Sequence, residues 1–147
     1  MSPSELIELY KKINQFDKHL DFDLKMKDGV VTYEVIIEDK HLSSPGTCHG
    51  GVLAGLMDNV LGVTALAYAV TEDKLCSTVE FKINYLNPAH KGDKIFGEAV
   101  IDYKGQRLVV TSGTLRTKDK LIAKGLGTFN LYPASKKDFF SLETKTT

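Results

Sequence analysis

The stretch "HGGVLAGLMDNVLGVTALAYAV", from His49 to Val70, decides the fold. It shows no period of two and exceeds a typical strand in length, so it predicts a helix. A helix that is apolar on nearly all sides is buried on nearly all sides. One carboxylate, Asp58, interrupts the apolar run, and three glycines, Gly51, Gly55 and Gly62, allow other segments to approach the helix backbone closely.

A run of this length also suits a transmembrane helix. Against that interpretation, Asp58 near its middle would cost about 2.5–3.5 kcal/mol on insertion scales. The N-terminus "MSPSELIELYKK" has no basic region followed by an apolar core, so it is not a signal peptide. We therefore expect a cytoplasmic protein without a membrane partner, and Cys48 and Cys76 suit a reducing compartment.

The composition is that of one soluble domain. The chain has 147 residues, of which 42% are hydrophobic and 26% charged, and its 19 basic side chains balance its 19 acidic ones. No overall field attracts nucleic acid. The scattered histidines and cysteines show no metal-ligand spacing, so no metal site is expected. We predict a single domain over residues 1–147, with a polar tail from about residue 132 that contains one aromatic pair.

The elements around the apolar helix follow from local patterns. "SPSE" predicts a helix start, with Ser2 as N-cap and Glu5 completing a capping box, and apolar residues continue at helical spacing to Phe16. "HLDFDLKM" and "VVTYEVII" alternate as strands around a "KDG" turn. A loop, "EDKHLSSPGTC", precedes the long helix. Four more strands follow it: "STVEFKINYL", "DKIFGEAVIDY", "RLVVTSGTLRT" and "LIAKGLGTFNL".

These elements predict an α+β fold in which a six-stranded antiparallel sheet curls around the long central helix, with a short N-terminal helix outside it. Six strands cover only part of such a helix. We therefore expect a partner subunit to cover the rest.

The start of the long helix and Asp58 together suggest chemistry. A helix N-terminus presents unpaired amides and a partial positive charge, and the glycines of His49-Gly50-Gly51 let a carbonyl approach those amides as in an oxyanion hole. A carboxylate two turns further suits acyl transfer to water. Each feature also has a structural explanation: the glycines can form a plain turn, and Asp58 can be a buried aspartate satisfied by hydroxyls or amides.

The segment "GTCHGGVLAGLMDNVLGVTALAYA" resembles the H-G-G-x-x-x-x-L-x-D-x-x-x-G signature of hotdog-fold acyl-CoA thioesterases of the phenylacetate-pathway (PaaI-like) branch. "TVEFKINYLNPAHKGD" resembles the strand and turn that follow in that family, and the strand order matches through about Leu131. The resemblance thus covers most of the chain and implies the hotdog fold. It specifies the subfamily better than it specifies the substrate.

The resemblance implies roles for four residues. Asp58 matches the catalytic carboxylate, as general base or nucleophile, and Gly50 matches the amide that polarises the thioester carbonyl. His49 matches the histidine that orients this neighbourhood. Thr78 matches a hydroxyl that assists the attacking water, but strand alternation puts it opposite Val79 and Phe81, so this role requires a bulge or an interface position. Some relatives carry an asparagine six residues before the H-G-G motif, where this chain has Ser43.

Further substrate contacts are expected beside these residues. Gly51 and Asn59 adjoin the predicted catalytic positions. Lys104 and Arg107 in the "KGQR" turn, together with Lys91, could meet the phosphates of coenzyme A, although turn lysines are usually only solvated. Coenzyme A is part of the substrate, and no cofactor is implied.

The sequence therefore predicts an acyl-CoA thioesterase. The resemblance implies a homodimer in which Gly50 of one subunit meets Asp58 of the other, and dimers of that family often pair into tetramers. Two alternatives remain open: a hotdog acyl-thioester hydratase or dehydratase, which would pair His49 with Asp58, and a non-catalytic acyl-CoA-binding module. The acyl group, and the choice between coenzyme A and acyl carrier protein, are not specified.

Overall fold

A computed structural model describes residues 1–135. Along this part of the chain the helices are α1 (Pro3–Ile13), α2 (Gln15–Leu20) and α3 (Gly50–Ala69), with short 3-10 turns at Asp39–His41 and Val70–Glu72. The strands are β1 (Asp23–Lys27), β2 (Val30–Ile36), β3 (Leu42–Ser44), β4 (Thr47–Cys48), β5 (Lys74–Tyr85), β6 (Lys94–Lys104), β7 (Leu108–Arg116) and β8 (Leu121–Pro133).

Six of the strands form one antiparallel sheet in the order β1-β2-β6-β7-β8-β5. Helix α3 packs against five of them, from β2 to β5. This is the hotdog arrangement that the sequence predicted, with a long central helix, a curled six-stranded sheet and an N-terminal helix. Strand β5 is an edge strand, and within residues 1–135 only β8 pairs with it.

The core lies between α3 and the concave face of the sheet. The buried side chains of the helix are Leu53, Leu56, Met57, Val60, Leu61, Val63, Ala65 and Ala69. The other side of α3, which includes Asp58, Gly62 and Tyr68, is only half-buried. The prediction of burial on nearly all sides is therefore too strong for a single chain, because one sheet covers only one side of the helix.

By length and composition alone, the segment Gly50–Glu72 could cross a membrane. In the structure half of its most apolar window is buried, and it packs into the sheet as a core helix does.

The N-terminal region contains two helices where the sequence predicted one. The capping box of Ser2 and Glu5 is present. Helix α1 ends at Ile13 because Asn14 leaves the helical conformation, and the Asn14 side chain then caps α2 by accepting the Asp17 N–H. Strand β1 consequently begins at Asp23, later than the predicted strand from His19.

Helix α2 is fixed to α3 by a buried polar cluster. Asp17 is only 7% exposed and accepts hydrogen bonds from the Tyr33 hydroxyl at 2.7 Å and from the Asn59 amide. Next to it, the Phe16 ring lies so close to α3 that a Cβ at Gly55 would be 2.8 Å from it. Gly55 therefore permits this close contact between α2 and α3.

Two boundaries differ from the sequence predictions. The predicted loop before α3 contains the hairpin β3–β4, with Gly46 at positive φ in its turn. Strand β8 continues through Pro133, beyond the predicted start of the tail at about residue 132. The aromatic pair Phe139–Phe140 lies outside the described residues.

Candidate active site

A bulge in β5 determines where Thr78 points. The pairing of β5 with β8 shifts between Thr78 and Glu80, which leaves Val79 as the extra residue, 58% exposed. Before the bulge Cys76 and Thr78 face α3, and after it Phe81 and Ile83 do so. The implied role of Thr78 required a bulge or an interface position, and the bulge is present.

The Thr78 hydroxyl donates a hydrogen bond to Asp58 Oδ1 at 2.8 Å. Asp58 is half-buried and Thr78 is exposed, so this pair lies at the surface of the single chain. A carboxylate can accept about four hydrogen bonds. Among the described residues only Thr78 donates to the Asp58 carboxylate, which leaves most of its accepting capacity free for a water or a ligand.

Two weak acids surround Asp58 without adding charge. Burial, and secondarily the nearby Asp58 carboxylate, raises the pKa of the Cys76 thiol to about 12. Burial, followed by the charges of Asp17 and Asp58, raises the pKa of Tyr10 to about 12. Near neutral pH both groups are therefore uncharged, and neither adds a second negative charge beside Asp58. The Cys76 sulfur also contacts the Gly62 carbonyl at 3.7 Å.

His49 caps the N-terminus of α3. Its Nδ1 accepts the Gly51 N–H at 2.7 Å, and the backbone N–H of His49 donates to the His41 carbonyl at 2.7 Å. Since Nδ1 is an acceptor, neutral His49 carries its proton on Nε2. The imidazole is exposed and presents an N–H donor beside the helix end. A Cβ at Gly51 would be 2.9 Å from Nδ1, so the cap requires a glycine there.

The Gly50 amide is the free donor of this turn. Its N–H has no hydrogen-bond partner within residues 1–135, whereas the Gly51 N–H is occupied by His49. It also lies at the positive end of the α3 dipole. Of the two predicted glycine positions, Gly50 therefore offers an amide to a ligand, while Gly51 serves the histidine cap.

The two halves of the site are separated within one chain. Asp58 follows Gly50 by eight residues, which is about 12 Å along the axis of a helix. One thioester carbonyl cannot contact both groups of the same chain.

Three predicted contacts lie elsewhere. The Asn59 amide is directed at Asp17, inside the monomer, and so does not join Asp58. The Lys104 ammonium lies 4.8 Å from the centre of the Tyr68 ring, near the C-terminal end of α3. The backbone of Arg107 bonds β8 in the same region, because its carbonyl accepts the Leu131 N–H. This turn is therefore remote from the helix start.

Two other predicted residues lie near the start of α3. Ser43 is exposed on β3, at the irregular position of the hairpin that leads to His49. The Lys91 ammonium forms an ion pair with Asp39 at 2.7 Å, and the Lys91 backbone N–H donates to the Gly46 carbonyl in that hairpin. Lys91 is thus the predicted basic residue closest in the fold to the helix N-terminus.

Sequence reasoning missed one polar contact of the site, made by Tyr85. Its hydroxyl donates to the Gly50 carbonyl at 2.8 Å. The alternation of "STVEFKINYL" predicts that Tyr85 lies on the apolar face of this strand, together with Phe81 and Ile83. Tyr85 lies in the segment "TVEFKINYLNPAHKGD", whose resemblance to the family was the available signal. Alternation alone does not reveal which group the Tyr85 hydroxyl contacts.

Within residues 1–135 no group of three or more histidine, cysteine or acidic side chains is arranged to hold a metal ion.

A sequence profile described as the thioesterase superfamily matches residues 45–124, which include β4, α3, β5, β6 and β7. The chain belongs to the thioesterase superfamily. This membership confirms the predicted hotdog fold and the predicted class of enzyme, a thioester hydrolase.

Individual relatives agree with this assignment. Human acyl-coenzyme A thioesterase 13 is 33% identical over 132 residues, which cover 86% of this chain and 92% of the human protein. A protein of Archaeoglobus fulgidus is 29% identical over 109 residues, which cover 71% of this chain and 66% of the archaeal protein.

Solved structures share the fold. The PaaI protein of the Escherichia coli phenylacetic acid degradation operon superposes with a TM-score of 0.82 at 18% identity, covering 90% of this chain and 95% of that one. The smu.793 protein of Streptococcus mutans, solved with acetyl CoA, superposes with a TM-score of 0.67 at 23% identity and covers 78% and 91%. These neighbours confirm the PaaI-like architecture.

Proposed function

We propose that this protein hydrolyses acyl-CoA thioesters to a free acid and coenzyme A, with Asp58 as the reacting carboxylate. The observation that carries the proposal is the pairing of Asp58 with Thr78 at the surface, where most of the carboxylate remains open. The name of the human relative, an acyl-coenzyme A thioesterase, and the acetyl CoA bound by the S. mutans protein support this substrate class.

The chemistry assigns each group a task. In the general-base route, Asp58 takes a proton from a water held by the Thr78 hydroxyl, and the water oxygen forms a bond to the thioester carbon. In the nucleophilic route, Asp58 itself attacks and water later cleaves the resulting anhydride. In both routes the carbon–sulfur bond breaks, the thiolate leaves and takes a proton, and the acyl group leaves as a carboxylate.

The negative charge that develops on the carbonyl oxygen is stabilised by the Gly50 N–H at the start of α3. The Nε2–H of His49 is a second donor on the same turn. Donors that are already oriented before the reaction pay no reorganisation cost as the charge forms, and each is typically worth about 10²–10³ in rate.

The site is completed by a second copy of the chain. The separation of about 12 Å between Gly50 and Asp58 along one helix prevents a single protomer from using both on one carbonyl. Within residues 1–135 the outer edge of β5 is unpaired over a strand of twelve residues, and an exposed edge of this length favours pairing with another strand. We infer a homodimer across β5 that brings Gly50 of one protomer to Asp58 of its partner. Such dimers can pair further into tetramers, and we propose a cytoplasmic location.

A thiol-release assay tests the function. The purified protein is incubated with a panel of aryl, hydroxyaryl and medium-chain acyl-CoAs, and free thiol is measured with a disulfide reagent. We expect turnover with at least one member. A hydratase would change the absorbance of an enoyl-CoA without releasing thiol, and a binding module would show saturable binding without turnover. Either result would contradict the proposal.

A further inference from the structure

Tyr85 lies at the end of edge strand β5 and contacts the first residue of α3. Its hydroxyl donates to the Gly50 carbonyl at 2.8 Å, and its ring atoms would lie 3.5 Å from a Cβ at Gly50, an ordinary van der Waals distance. The side chain is 52% exposed, so burial of the ring does not account for its position. Its interaction with the helix start is both polar and steric.

This hydrogen bond extends to the histidine cap. The Gly50 carbonyl and the Gly51 N–H belong to one peptide group. That group accepts from Tyr85 on its oxygen and donates to His49 Nδ1 on its nitrogen, at 2.8 and 2.7 Å. A hydrogen bond to the oxygen of an amide polarises the group and strengthens donation from its N–H. Tyr85 therefore strengthens the bond that holds the His49 proton on Nε2.

The same contact fixes the free amide. The Gly50 N–H lies on the preceding peptide, and its direction depends on the orientation of the first turn of α3. Glycines at 50 and 51 give this turn little conformational restriction of its own. A phenol attached to the sheet supplies the restriction. Strand β5 then contacts both parts of the site, since Thr78 on the same strand holds Asp58.

We propose that Tyr85 is a positioning residue, which orients the Gly50 amide and selects the His49 tautomer without touching the reacting atoms. The proposal rests on the proposed function for its catalytic consequence. The effect on His49 follows from the hydrogen bonds alone, so it can be tested whether or not the substrate class is correct.

The test compares Tyr85→Phe with Tyr103→Phe. The first variant removes the hydroxyl and retains the ring against Gly50. The second removes a hydroxyl from an exposed tyrosine at the end of β6, next to Lys104, whose ammonium lies over the Tyr68 ring near the C-terminal end of α3. Thiol release gives kcat and KM, nitrogen-15 NMR of the imidazole gives the tautomer of His49, and a thermal melt reports folding.

For Tyr85→Phe we expect kcat to fall roughly three- to tenfold, which corresponds to the free energy of one hydrogen bond, and we expect KM to change little. We expect the His49 nitrogen shifts to move toward a mixture of tautomers, while the melting temperature stays near that of the wild type. Tyr103→Phe should change neither kcat nor the His49 nitrogen shifts. Unchanged His49 shifts in Tyr85→Phe would overturn the proposal whatever the turnover does, and so would unchanged kcat in an active enzyme. If wild-type protein releases no thiol, the proposed function fails, and the NMR comparison still decides the role of Tyr85.

Discussion

Asp58 and Asp17 are two aspartates beside the same helix, and their surroundings differ in every respect that matters for chemistry. Asp17 is buried, and the Tyr33 hydroxyl and the Asn59 amide donate to its two oxygens. Asp58 is half-buried and receives one hydrogen bond, from an exposed threonine. The adjacent residues Asp58 and Asn59 thus belong to different regions, one open and one closed.

The different surroundings of Asp17 and Asp58 indicate which carboxylate can react. A carboxylate whose oxygens are occupied inside the fold contributes to stability, because removing its partners leaves buried polar groups unsatisfied. A carboxylate with open lone pairs at a surface that a second protomer can cover is able to bind water or substrate. Substitutions at Asp58 should therefore change rate, and substitutions at Asp17 should change stability.

The largest effect is expected for Asp58→Asn. The amide cannot take a proton from water or attack a thioester, and loss of general-base catalysis alone costs roughly 10²–10⁴ in rate. The Thr78 hydroxyl can still donate to the amide oxygen, so the fold should survive. Thiol release at saturating substrate and a thermal melt check this. A variant that melts like the wild type and hydrolyses within a few-fold of it would assign Asp58 to packing.

The next largest effect is expected for Gly50→Val. A branched side chain at the free amide should crowd the carbonyl oxygen, and loss of one oxyanion donor costs on the order of 10²–10³ in rate. Gly50→Ala is the matched control, because its Cβ meets the Tyr85 ring at an ordinary 3.5 Å, and it should lose less. Unchanged turnover in a folded Gly50→Val enzyme would remove Gly50 from the site.

Thr78→Val should have an intermediate effect. Valine has the shape of threonine and suits a strand, but it cannot donate to Asp58 or hold a water, so we expect turnover to fall roughly tenfold. Thr128→Val is the control, since Thr128 lies on the neighbouring strand β8 opposite Glu80, within the same sheet. Equal turnover of the two variants would show that the Thr78 hydroxyl takes no part.

The smallest effect on rate is expected for Asp17→Asn, which should instead lower the free energy of unfolding by about 1–3 kcal/mol. Burial is the largest influence on Asp17 and raises its pKa above the ordinary 3.8, against the hydrogen bonds from Tyr33 and Asn59. The folded protein therefore binds this proton more tightly than the unfolded chain, and stability from this group is gained as pH falls through the raised pKa and lost as pH rises through it.

Urea unfolding of the wild type and of Asp17→Asn, at the same protein concentration, checks the direction of this pH dependence. The stability difference between wild type and Asp17→Asn should widen as the pH falls from neutral toward 3.8 and stay constant below that value. A variant with normal stability but a large loss of turnover would reverse the assignment of the two aspartates.

The parts of the fold that depend on neighbouring residues could be predicted from the sequence. The capping box of Ser2, the turn at Asp28 and Gly29, both at positive φ, and the alternation of β2 are local features. The order along the chain of two strands, α3 and four further strands followed from them and from the resemblance. Asp58 could be found because a charge in an apolar run is conspicuous in the sequence itself.

The features that sequence reasoning missed depend on distant partners. Nothing in the order of residues shows that Asn59 faces Asp17, 42 positions away, or that Tyr85 meets Gly50, 35 positions away. The restart of the helix at Asn14 depends on a backbone conformation that tertiary packing selects. The bulge at Val79 was one of two arrangements that the implied role of Thr78 allowed, and the alternation pattern could not show it.

Mixing two inactive variants tests whether each reaction site is shared between Asp58 of one protomer and Gly50 of its partner. Gly50→Val and Asp58→Asn chains are unfolded together, refolded at equal concentrations, and assayed for thiol release. Each hybrid dimer has one intact site, so random pairing should restore about one quarter of the wild-type activity per chain. A mixture no more active than its parents, in which hybrid dimers are demonstrated by mass spectrometry, would contradict the shared site.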